Sequence, residues 1–250
     1  MTLLITGGTG TLGRPTVDAL RAAGVEPRIL SRRPGSAHAI ADLQSGVGLP
    51  EALAGVETVL HLATNRRSDA RATQRLLQAA RAAGVQHLVY LSIVGVDAVP
   101  LGYYRAKLAC EHLVAESGVP FTILRATQFH DFVGGFFSAQ RRLPRLITLD
   151  VPFQPISTAA VAERLVSLVT AAPVHGRVDD LGGPEVLPMA ELARQWVRAR
   201  GASTEAAERR VVEWHLPGAL AAAYRAGLHT TGQPGPGIRF ADWAATRDGQ

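Results

Sequence analysis

Thr6-Gly7-Gly8-Thr9-Gly10-Thr11-Leu12-Gly13 follows the apolar run Leu3–Thr6 directly and opens a helical pattern over Leu12–Ala23. It satisfies G-x-G-x-x-G through Gly8, Gly10 and Gly13, and a looser spacing through Gly7, Gly10 and Gly13. Glycine allows the tight turn, a missing Cβ lets a pyrophosphate reach the backbone, and the last glycine lets helix and strand pack closely. The free N–H groups at the helix start, near Thr11 and Leu12, then face negative charge. A glycine triad alone is a weak signal; at the first strand-to-helix junction of the chain it predicts a bound dinucleotide.

The end of the second strand predicts which one. Units that bind NAD usually place Asp or Glu there to hold the ribose hydroxyls. Here the chain reads Ile29-Leu30-Ser31-Arg32-Arg33, with no carboxylate. A carboxylate would repel a 2′-phosphate, whereas a guanidinium grips one in bidentate fashion. NADP(H) is the expected cofactor.

The first half of the chain alternates strands and helices. Strands are expected at Leu3–Thr6, Pro27–Leu30, Thr58–Leu62, His87–Ser92 and Phe121–Leu124. Helices are expected at Leu12–Ala23, Asp69–Ala83 and Tyr104–Ser117, with Gly24, Gly84 and Gly118 at their ends. This rhythm predicts an α/β, Rossmann-like doubly wound parallel sheet. Residues 36–56 break it, with a brief strand near Ala39–Ala41 and little or no helix before it. Beyond residue 126 prolines cut the chain into short pieces, with helical patterns at Thr158–Thr170 and Met189–Arg200. The expected organisation is one compact unit: residues 1–126 as the NADP-binding core and 127–250 as a small C-terminal substrate-binding portion that lids it.

Tyr103 and Lys107 stand at i and i+4, adjacent on one helical face. A phenol with an ordinary pKa near 10 is a poor acid at neutral pH, and a nearby ammonium favours its ionised form. Such a phenol can protonate a carbonyl oxygen as hydride reaches the carbon. Of the 26 basic side chains every one but Lys107 is arginine, so the ammonium is retained where a compact, three-donor cation is useful. Ser92 ends its strand on the same edge, where its hydroxyl can orient a substrate oxygen.

Composition closes off other classes. The charge of +5 is spread along helical segments and aromatics make up 6% of the chain, unlike the basic, aromatic-interleaved stripe of a nucleic-acid binder. Apolar runs such as Leu88–Val96 reach about half the ~20 residues that span a bilayer, and no leader sequence is apparent. The single cysteine, Cys110, forms no intrachain disulfide. The expected protein is cytoplasmic, with no nucleic-acid or membrane partner, and a monomer or homodimer. The eight histidines lack metal-ligand spacing, so no metal is expected.

The glycine loop, Leu91-Ser92, Y-x-x-x-K and Thr122-Ile123-Leu124-Arg125 together resemble the short-chain dehydrogenase/reductase superfamily, most closely its atypical, NmrA-like NAD(P)H-binding branch. The resemblance implies that Thr11, Leu12, Ser31, Arg32, Asp42, Leu43, Ala63 and Thr64 line the cofactor, with Asp42-Leu43 beside the adenine. It also implies a triad of Tyr103, Lys107 and Ser92, with Lys107 on the nicotinamide ribose.

After the sixth strand, Gln128, Phe129 and His130 are expected at the substrate, with Phe132, Phe136 and Phe137 extending an apolar wall. Core packing is the alternative for the phenylalanines, and a satisfied buried carbonyl for His130. The function expected is NADPH-dependent reduction of a small hydrophobic carbonyl, enone or quinone, with Tyr103 as general acid. The alternative is a non-catalytic NADP(H) sensor of the NmrA-like type, and nucleotide-sugar epimerisation ranks last because the C-terminal portion is small.

Overall fold

The computed structural model describes residues 1–35, 37–64 and 69–246. In chain order its first half runs β1 (Leu3–Thr6), α1 (Gly13–Ala22), β2 (Arg28–Ser31), β3 (His38–Ile40), α2 (Leu49–Leu53), β4 (Thr58–His61), α3 (Asp69–Ala82), β5 (His87–Ile93), α4 (Gly102–Glu116) and β6 (Phe121–Ala126). Then follow α5 (His130–Ala139), β7 (Leu146–Leu149), β8 (Pro152–Phe153), α6 (Thr158–Thr170), β9 (Gly176–Arg177) and β10 (Leu187–Pro188). The chain ends with α7 (Met189–Arg198), α8 (Thr204–Arg210), β11 (Val211–Trp214), α9 (Ala219–Arg225) and α10 (Phe240–Ala245). These fall into two compact units, one of residues 1–92, 102–125 and 161–179, the other of residues 93–101, 126–160 and 180–250.

The first unit is a seven-stranded parallel sheet in the order β3-β2-β1-β4-β5-β6-β9. Strands flanked on both faces read as continuous apolar runs rather than alternating ones, and all four residues of β1 and of β4 are buried. One face is covered by α2, α3 and α4, whose Leu53, Leu76, Cys110 and Val114 close over Leu4, Val59 and Leu88. From β1 the chain builds outward to β2 and β3, then returns to place β4 on the other side of β1. That reversal is the crevice where open parallel sheets take their ligands.

The second unit has its own core, in which Phe137, Trp196, Phe240 and Trp243 stack and pack edge to face. Two small ribbons lie within it, β7 beside β11 in parallel and β8 beside β10 antiparallel. Among the described residues no helix is long and apolar enough to cross a membrane.

The expected strands and helices of the first unit appear within one or two residues, and α6 spans the expected Thr158–Thr170. The differences are local. Helix α4 begins at Gly102, so Tyr103 lies inside it, and α2 and α5 were not expected. Residues 161–179 belong to the first unit, a return with no counterpart in a single boundary at residue 126.

Candidate active site

Apart from Lys107, which lies within α4, the groups expected near the cofactor in the first unit stand at or beyond the carboxyl end of a strand or at a helix start. Gly7 has φ +72°, and a Cβ there would lie 2.7 Å from the Ala63 nitrogen. A Cβ on Gly13 would lie 2.0 Å from the Gly7 carbonyl oxygen. The cradle therefore depends on Gly7 and Gly13, while Gly10 closes the turn by donating its N–H to the Gly7 carbonyl at 3.0 Å. Thr9, Gly10 and Thr11 are exposed at its rim. Helix α1 has Leu12 at its N-cap, with no side-chain cap and no acidic residue in its first turn, leaving its positive end to an anion.

Across the crevice the Ala63 N–H donates to Thr6 Oγ1 at 3.2 Å. Ser31 ends β2 and the exposed Arg32 follows it, and the Ser31 hydroxyl accepts the Arg33 N–H. Asp42 accepts the Gln44 N–H at 3.0 Å and the Ser45 hydroxyl at 3.2 Å. The backbone donor at Gln44, reinforced by Ser45 and Arg32, holds its carboxyl below the usual range. Asp42 is thus a turn-forming residue as well as one the resemblance assigns to the adenine, and Leu43 packs on the core.

The groups expected to do chemistry lie on β5 and α4. Lys107 is only 6% exposed, and its Nζ donates to the Leu91 carbonyl at 2.9 Å and to Tyr90 Oη at 3.1 Å. Among the described residues these engage two of its three protons. Burial lowers the Lys107 pKa, and Asp69, Cys110 and Glu111 oppose that shift. Tyr103, half-buried, places its Oη 3.2 Å from Thr64 Oγ1, so an expected catalytic residue meets an expected cofactor-lining one. Ser92 Oγ is buried and has no hydrogen-bond partner among the described residues. A buried hydroxyl left unsatisfied costs about 1–3 kcal/mol, which a ligand oxygen would relieve. The glycine cradle, the uncapped helix start and this hydroxyl all fit a nicotinamide dinucleotide.

Sequence reading missed the polar layer beneath. His61 ends β4, 2% exposed, with Nδ1 2.7 Å from Thr6 Oγ1 and Nε2 3.1 Å from Thr73 Oγ1. Thr73 donates its own proton to Cys110 Sγ at 3.6 Å, so His61 donates from Nε2 and accepts at Nδ1. Its one sequence signal is a histidine closing an otherwise apolar strand. Burial, with the charge of Lys107, holds its pKa down to about 3. In the unfolded chain the ring titrates near 6.5, so below that pH the unfolded state takes up a proton that the folded state refuses. Stability should fall as the pH drops from 6.5 toward 3, by up to ~1.4 kcal/mol per pH unit from this group. Urea unfolding at pH 7 and pH 5 checks this; an equally steep decline in His61→Asn would exclude His61 as its source.

Helix α4 is fixed to β6 by a buried ion pair. Arg125 donates from Nε to Glu111 Oε1 at 2.9 Å and from Nη2 to Oε2 at 2.8 Å, with both side chains under 8% exposed.

In the second unit Gln128 and Phe129 are half-buried, and His130 is wholly buried. The expectation of His130 at a substrate is corrected: its Nε2 lies 3.0 Å from the Ile238 carbonyl and its ring packs on Phe240 and Trp243. Phe137 is likewise core, while Phe132 and Phe136 are exposed.

A family model described as NAD(P)H-binding matches residues 7–172. A (4-alkanoyl-5-oxo-2,5-dihydrofuran-3-yl)methyl phosphate reductase of Streptomyces griseus is 32% identical over 213 residues, covering 80% of this chain and 74% of that protein. Quinone oxidoreductase 2 of Escherichia coli is 26% identical over 215 residues, with the same coverage of 80% and 74%. The crystal structure of an NADPH-dependent quinone oxidoreductase from Escherichia coli, complexed with NADPH, superposes with a TM-score of 0.72 at 21% identity, over 98% of this chain and 99% of that one. A nucleoside-diphosphate-sugar epimerase from Staphylococcus aureus superposes at 0.79 with 18% identity, over 98% and 100%, so the fold itself does not choose between reduction and epimerisation. The chain belongs to the NAD(P)H-binding family.

Proposed function

We propose that this NAD(P)H-dependent oxidoreductase is an NADPH-specific reductase of a small hydrophobic carbonyl, enone or quinone. The observation that carries the reading is a phenol, Tyr103, held at the mouth of the crevice by Thr64, one helical turn from the buried ammonium of Lys107. The reductase and quinone oxidoreductase among its relatives support it. When bound, the dinucleotide supplies the hydride. Tyr103 gives its proton to the substrate oxygen, and Lys107 stabilises the phenolate that remains. Ser92 orients that oxygen with its unpaired hydroxyl. Gln128 and Phe129 remain the proposed substrate contacts; His130 does not.

The test is NADPH oxidation against a panel of acetophenone, cyclohexenone and naphthoquinone. Oxidation of at least one supports the reading, and tight NADPH binding with no oxidation across the panel overturns it. Specificity for NADPH rests on Arg32. Arg32→Glu should weaken NADPH by about 10- to 100-fold relative to NADH, the worth of one charge-assisted phosphate contact. Calorimetry with both nucleotides reads the ratio, and an unchanged ratio would remove Arg32 from the phosphate site.

A further inference from the structure

Thr64 joins two acidic groups. Its Oγ1 donates to Asp69 Oδ2 at 2.6 Å and stands 3.2 Å from Tyr103 Oη. An ionised carboxylate only accepts, so the Thr64 proton is committed to Asp69 and its lone pair is left to receive the Tyr103 O–H. In this arrangement Tyr103 donates to Thr64, and Thr64 donates to Asp69. Asp69 is 6% exposed and is the first residue of α3, a helix of 14 residues. An ordinary first-turn Asp sits in solvent and serves the helix start; this one is buried and receives a side-chain hydroxyl at short range.

A reductase that spends the Tyr103 proton must replace it before the next turnover. We propose that Thr64 and Asp69 form the path by which Tyr103 recovers its proton, an inference that rests on Tyr103 being the acid of the reaction proposed above. The substrate gains a hydride at carbon, from NADPH, and the Tyr103 proton at oxygen, leaving a phenolate. Asp69 takes a proton from water and passes it to Thr64 Oγ1 as the Thr64 proton moves to Tyr103 Oη. The O–H bond of Tyr103 is remade and Asp69 is again ionised. One proton enters from water for each one delivered to the substrate. Among the described residues, the titratable groups around the path include Tyr103, Lys107, Cys110 and Glu111 on α4 and Tyr90 on β5. Lys107 offsets the carboxylate charge, and its own hydrogen bonds go to Tyr90 and Leu91, so the path does not pass through it. Thr64 and Asp69 are positioning residues, acting on the substrate through Tyr103 alone.

The experiment uses the full chain in two states. Without nucleotide, NMR of ring-labelled tyrosine, with the Tyr103 signal assigned by its loss in Tyr103→Phe, reads the hydrogen-bonded chain. That signal should move in Thr64→Val and in Asp69→Asn and move less in Thr64→Ser, while the Tyr104 and Tyr224 signals stay in place. With NADPH and the panel member that oxidises it fastest, rapid mixing reads proton return. Asp69→Asn should give a first turnover near the wild-type rate, then a steady rate about tenfold slower, within the range of proton-transfer catalysis, and Thr64→Val should slow the steady rate at least as much. Thr64→Ser should recover most of what Thr64→Val loses. A Tyr103 signal unmoved by both variants, or steady rates equal to wild type, overturns the path while leaving Tyr103 as the acid. Loss of the first turnover in Asp69→Asn also overturns it, because a proton-return defect spares that event. Wild-type turnover in Tyr103→Phe removes the acid reading, and the path with it.

Discussion

Tyr103→Phe should lower kcat by about 10²- to 10⁴-fold, the usual worth of a positioned general acid, with NADPH affinity nearly unchanged. The substitution removes one oxygen and keeps the ring, so α4 retains its packing. The loss includes the contact with Thr64, a neutral hydrogen bond worth about 1 kcal/mol. The melting temperature should therefore barely move while turnover collapses. Steady-state oxidation of NADPH, calorimetry of its binding and a thermal melt separate these effects. Turnover at the wild-type rate would strip Tyr103 of its proposed role. A matched loss of turnover and nucleotide affinity would mean that the phenol serves the cofactor instead.

Glu111→Ala should destabilise the chain by about 3–5 kcal/mol, the cost of removing one partner of a buried ion pair. The Arg125 guanidinium keeps its charge and loses both carboxylate oxygens, which it holds at 2.9 and 2.8 Å in a site almost closed to water. Glu111→Leu combined with Arg125→Met should recover most of that loss, because apolar side chains of similar volume replace the pair without stranding a charge. The pair sits one helical turn beyond Lys107, so the single variant should also disturb turnover through α4, and the double variant less. Urea unfolding of the three proteins reads the energies. A loss below about 1 kcal/mol in Glu111→Ala would place the pair among exposed ion pairs, against its burial in the structure.

The sheet was legible because its strands announce themselves. Leu3–Thr6, Thr58–His61 and His87–Ile93 are short apolar runs bounded by Gly-Val pairs or polar turns, and burial on both faces requires such runs. The loop was legible because only glycine fits where Gly13 meets the Gly7 carbonyl. What sequence could not reveal was pairing between distant segments. Strands β7 and β11 pair in parallel across 65 positions, Val211 beside Leu146, with no turn between them to mark the register. The carbonyl that claims His130 belongs to Ile238, 108 residues away, and periodicity around His130 carries no trace of it. The partners of Tyr103 and Lys107 follow the same rule. Spacing put the two side chains on one helix, but Thr64, Asp69 and Tyr90 reach them from other elements.

The path of the chain between its units leaves a mark on how such a protein can vary. The second unit consists of two excursions and a tail, and these depart after β5, after β6 and after β9. Each departure follows the carboxyl end of a parallel strand, so lengthening or replacing an excursion alters a connection and leaves the strand register untouched. Stretches within residues 94–101, 127–160 and 180–246 can therefore change while Gly7, Gly13 and Ser92 keep the places that the strands give them.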